Sequence, residues 1–123
     1  VNTFAQLVSL LFASRTQAHT FHLQTNSFSV HKTLNEYYEE VISLVDELIE
    51  SYQGKHGVVT GYTSPASIEN YSSVEQVIEY FMNLAEVVEQ ARKEIPQDDY
   101  LLNQIDEITA LVYSTVYKLK FLK

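Results

Sequence analysis

The sequence predicts an all-α fold, a four-helix bundle in a single domain over residues 1–123. Three observations predict it. Apolar residues, 46% of the chain, recur at helical spacing in four separate stretches. Glycine and proline are scarce, at three and two residues, which leaves too little punctuation for a β fold of many turns. Each break between the stretches also carries a capping signal.

The first helix is expected from about Asn2 to Leu23, on Phe4, Leu7, Val8, Leu11 and Phe12. The polar "QTNS" ends it, and Ser27 is the expected N-cap of the second. That helix carries Leu34, Tyr38, Val41, Ile42, Val45, Leu48, Ile49 and Tyr52, with Gly54 expected to stop it. Residues 54–72 hold all three glycines and read as a long connection. Within it "SPASIENY" predicts a short extra helix, with Ser64 capping and Pro65 at its first position. Ser72 and Glu75 have capping-box spacing ahead of a third helix that ends before Pro96. A fourth starts at Asp98 or Asp99 and places Leu101, Ile105, Ile108, Val112, Val116 and Leu119 on its inner face. Acids at its start and Lys118, Lys120 and Lys123 at its end suit the helix dipole.

Composition removes several function classes. Without cysteine there is no disulfide, thiol nucleophile, Cys-ligated zinc or iron–sulfur cluster, and a reducing, cytoplasmic setting is expected. A net charge of −8 opposes phosphate contacts, so no nucleic-acid partner is expected. No stretch approaches the length of a membrane span. The opening "VNTFAQLVSLLFASRTQA" has an apolar run but lacks the positive region of a signal peptide, and Arg15 interrupts the stretch after that run. No His-Glu-x-x-His, Gly-x-Ser-x-Gly or phosphate-cradling glycine loop is present. No Glu-x-x-His encodes a di-iron site within one bundle.

The spacing of histidines and carboxylates is the remaining signal. Asp46 and Glu50, four apart, are neighbours on one helix face. At about 100° per residue, His31 falls within roughly 60° of Asp46 around the same axis. Fifteen residues of rise nevertheless separate the two by roughly 22 Å, too far to share one ion in one chain. Two such helices packed antiparallel about a two-fold axis bring His31 of one chain to Asp46 and Glu50 of the other, and make the contact twice. His19, at the end of the first helix, is expected to fold back beside His31. Two imidazoles and two carboxylates suit iron, zinc or manganese.

The pattern His19-x11-His31-x14-Asp46-x3-Glu50 resembles the inter-subunit ferroxidase motif of the Dps family, the ferritin-like miniferritins. "HTFHLQTNSFSVH", with Asn26 and Phe28, is similar to that family's stretch between its two histidines, and "DDYLLNQIDEITALVYSTVYKLKFL" resembles its last helix. The resemblance implies a ferritin-like bundle with the short extra helix between the second and third helices. It also implies two-fold dimers that assemble into a hollow, usually twelve-subunit shell. His19, His31, Asp46 and Glu50 would bind iron, with peroxide or dioxygen as oxidant and the mineral kept inside. Glu94, Asp98 and Asp99 fall where the family often has acids lining an iron-entry pore.

Thr20 stands where the family often has Trp, and Asn35 where it often has an acid that helps hold a second metal. These departures support a second expectation: a helical structural or adaptor protein that keeps the bundle and oligomer without redox chemistry. A structural zinc site at the same four residues is part of that alternative. By default His22 is expected at the surface or an interface, and His56 solvated in a loop.

Overall fold

The computed structural model describes residues 2–65 and 67–123. Four helices form: α1 (Thr3–Gln24), α2 (Phe28–His56), α3 (Val74–Glu94) and α4 (Asp99–Phe121). No strand occurs among the described residues. Three of the four start on a side-chain cap. Asn2 accepts from Ala5 N–H, Ser27 from Val30 N–H and Ser73 from Gln76 N–H. Each satisfies one backbone donor that has no partner inside its helix.

Two boundaries differ from expectation. α2 continues through Gly54 to His56, and Gly57, at φ 94°, takes the backbone conformation that favours glycine. α3 is capped by Ser73, not Ser72. Gln76 instead reaches back, its Oε1 accepting from Ser72 N–H and Oγ.

The described residues between α2 and α3 run from one end of the bundle to the other along α1. Asn2 donates to Thr60 O, Ser9 Oγ accepts from Thr63 N–H, and Gln17 clamps Glu69 through both its N–H and its carbonyl. Gln24, at the far end of α1, accepts from Tyr71 N–H. Each of these side chains takes a backbone group that a helical turn would have used itself. The described residues of the connection accordingly form no helical turn, and Ala66, within the expected short helix, lies outside the described residues.

The crossover returns the chain to the end of the bundle where α2 starts, so α3 runs parallel to α2. α1 and α4 run one way, α2 and α3 the other, and the neighbours in the ring α1, α2, α4, α3 are antiparallel. Their inner faces share one apolar core that includes Phe4, Leu11, Phe21, Leu34, Leu48, Phe81, Leu101 and Ile105. Tyr37 is wholly buried there. Ser14 Oγ lies 2.7 Å from both Leu11 O and Tyr37 Oη. Its single proton serves the carbonyl, so the phenol donates to Ser14. Burial pushes the Tyr37 phenol well above its ordinary pKa. No described helix is long and apolar enough to cross a membrane.

Candidate functional site

The end of α1 and the start of α2 meet at a corner where three histidines gather. His22 is buried, with 8% of its surface exposed, because it lies four residues after buried Ala18 and next to buried Phe21 on the inner side of α1. Its ring stacks on that of His31, with centroids 3.6 Å apart and planes 18° from parallel. Each ring also reaches the other residue's backbone: His22 Nδ1 is 2.6 Å from His31 O, and His31 Nδ1 is 2.8 Å from His22 O. A carbonyl only accepts, so both Nδ1 atoms carry the proton. In the neutral imidazoles the lone pair therefore sits on Nε2, the tautomer a metal-binding histidine uses when its other nitrogen is anchored to a backbone carbonyl.

His19 lies one turn back. Its ring stacks on Tyr38, 4.4 Å away, and stands 6.0 Å from His22. The ring that packs directly on His31 is thus that of His22, while His19 makes contacts of its own with Tyr38 and His22. Three residues along a helix rotate a side chain by about 60° from its predecessor, and the inward phase of α1 belongs to His22. The Tyr38 hydroxyl donates to Asn35 Oδ1 at 2.6 Å. Thr20 Oγ1 donates to Thr16 O on its own helix. Neither Asn35 nor Thr20 brings a carboxylate to the corner.

Outside the histidines the corner is open and carries two exposed apolar side chains. Phe28 is 78% exposed and Leu23 70%, and the Phe28 ring lies 6.3 Å from that of His31. A shallow groove of about 400 Å³ is lined by His22, Phe28, His31, Lys32 and Asn35.

Asp46 and Glu50 are exposed on the same helix as His31, toward its far end. Among the described residues no group of three or more His, Asp or Glu side chains is close enough to hold a metal ion within the chain. A site drawing on both halves of α2 needs a second chain.

The acids suggested as pore residues lie at the opposite end of the bundle. Glu94 ends α3, Asp98 precedes α4 and Asp99 opens it. Asp98 makes no side-chain cap on its own helix. Its two oxygens instead meet Lys55 Nζ at 2.7 Å and His56 Nε2 at 2.6 Å. Hydrogen bonds from Lys55 and then His56 hold its carboxyl below the usual range, and Asp98 raises Lys55 in return. His56, expected to be solvated in a loop, is exposed but lies in a helix, as the last residue of α2, with its ring 4.9 Å from that of Tyr52.

No curated protein and no solved structure matches the chain. A family model matches residues 22–119, which takes in the end of α1 with His22, all of α2 and α3, and most of α4. The protein therefore belongs to DUF5856, a family of unknown function.

Proposed function

We propose that the protein is a Dps-like miniferritin that oxidises Fe(II) at a site shared across a two-fold interface between α2 helices. His19 and His31 of one subunit bind the ion together with Asp46 and Glu50 of the partner subunit. His22 is a positioning residue: its carbonyl fixes the His31 tautomer and its ring backs the His31 ring. Iron is the substrate here. The chain binds it, orients the imidazoles and leaves coordination positions open to peroxide or dioxygen, which takes the electrons.

One observation carries this reading. The anchored Nδ1 of His31 leaves Nε2 as the ligating atom at a corner whose neighbours, Phe28 and Leu23, are exposed as an interface residue in a lone chain is. The bundle supports it as well, since a single long crossover between the second and third helices is the ferritin-like connection. Two-fold dimers would then build a cytoplasmic, twelve-subunit shell, with Glu94, Asp98 and Asp99 near its iron entry. The net charge of −8 favours the approach of cations.

The alternative, a structural or adaptor bundle with zinc in place of iron, is favoured by a specific observation: Asn35 is committed to Tyr38. Substituting His31→Ala together with Asp46→Ala separates the readings. Loss of Fe(II) oxidation with the assembly retained is expected. Oxidation that survives the double change contradicts the inter-subunit site.

A further inference from the structure

The faces of the bundle are unequal. α1 and α3 meet sparsely, and between them runs a groove floored by Leu10 and walled by α3 on one side and the crossover on the other. Its upper part, about 380 Å³, exposes Val87 and carries Glu69 and Glu79 at its edge. The lower part shares Leu10 and Val87 and ends at Glu94. From Gln76 to Glu94 the groove spans about 27 Å of α3. Among the described residues no Lys or Arg lines either part.

The complementary surface lies on the same chain. No acid occurs after Glu107, and three of the eight basic residues are Lys118, Lys120 and Lys123. Lys118 pairs with Glu36, whereas Lys120 and Lys123 enter no ion pair among the described residues. Between them Phe121 and Leu122 are 68% and 50% exposed, and Tyr117, one turn earlier on the same face, is 54% exposed with its ring 5.7 Å from that of Phe121. An acidic, apolar groove thus coexists with a basic, aromatic helix end.

We infer that the C-terminal end of α4 docks into the α1–α3 groove of a second copy of this chain, with Tyr117, Phe121 and Leu122 over Leu10 and Val87, and Lys120 and Lys123 against Glu69 and Glu79. The contact joins two different surfaces, so it propagates head to tail and closes only if the rotation permits a ring. Tyr117 and Phe121 are already partly covered, so each buries less than the about 150–250 Å² of a whole aromatic, which with one leucine falls short of a standard interface; the association is weak and depends on concentration. It is independent of the iron-site reading, whose residues lie on α2 and the end of α1.

The test is sedimentation of the full chain over a range of concentrations, reading the rise in mass above the smallest assembly present. Glu79→Lys in one variant, and Lys120→Glu with Lys123→Glu in another, should each raise the concentration needed for association by about 10-fold or more. Mixing the two variants should restore pairing, because the unchanged tail of one then meets the unchanged groove of the other, and the reversed tail meets the reversed groove. Phe121→Ser should weaken association without altering charge, and helical circular dichroism verifies that each variant is folded. Wild-type protein whose mass does not rise with concentration overturns the inference, as do charge reversals that leave the rise unchanged or a mixture that fails to recover it. Fe(II) oxidation retained while the rise in mass is lost assigns the defect to this contact alone.

Discussion

His22 and His31 hold each other by exchange: each imidazole gives its Nδ1 proton to the other residue's backbone carbonyl, at 2.6 and 2.8 Å, while the rings lie 3.6 Å apart. Two side chains thereby fasten the end of α1 to the start of α2 and settle which ring nitrogen stays available on both.

Replacing His22 with Ala removes the ring on which His31 rests but keeps the carbonyl that anchors it. Affinity for Fe(II) should fall by about 10-fold or more, as for loss of a group that orients a ligand. Stability should drop by roughly 1–3 kcal/mol for the lost buried packing and hydrogen bond. Anaerobic Fe(II) titration and thermal unfolding read the two effects separately.

The proposed inter-subunit site predicts complementation. Chains carrying only His31→Ala or only Asp46→Ala should each be inactive in Fe(II) oxidation. Unfolded together and refolded, half of the two-fold pairs are mixed, and each mixed pair contains one intact site. About a quarter of the wild-type rate should return. A site built within one chain would recover nothing.

Gln17 spends its whole amide on the crossover, donating to Glu69 O at 3.0 Å and accepting from Glu69 N–H at 2.7 Å. Gln17→Ala leaves both backbone groups without that partner and should cost about 1–3 kcal/mol. Hydrogen exchange at the Glu69 amide should quicken, while amides in the middle of α2 keep their protection.

The Asp98 contacts predict a pH dependence. Its folded pKa lies below its ordinary value of 3.8, so the stability it contributes is present above that value and is lost as pH falls through the lower folded one. Lys55 is raised above 10.5, so its share is present below that pH and fades as pH climbs past it. Asp98→Asn should flatten the acid limb of the unfolding temperature against pH more than a change at exposed Glu47 does.

The four helices were legible because α2, α3 and α4 each bury one stripe and expose the other, which is what helical periodicity reports. α1 was harder to phase, since the bundle covers one side of it and the crossover another. Its buried set accordingly includes Ser9, Ser14, Gln17 and His22. His22 was hidden for a different reason, because a polar residue on the inward phase reads as a surface one by its type. The one clue in the chain was its place four residues after Ala18, on the inward phase.

The end of α2 was ambiguous because Gly54, Gly57 and Gly61 all suit a helix stop. The tie from Asp98 to Lys55 and His56, which accompanies the longer helix, crosses 43 and 42 residues of sequence and leaves no local mark. The short helix in the crossover was read from its own serine and proline. The glutamines that hold the segment extended belong to other elements.

The most direct test of the proposed function is to add Fe(II) anaerobically to metal-free protein, then peroxide, following absorbance while light scattering reports the particle mass. Rapid oxidation, with iron retained in a shell-sized particle, is the predicted result. An assembly in which Fe(II) oxidises no faster than in buffer would contradict it, and would leave a four-helix bundle kept for structure alone.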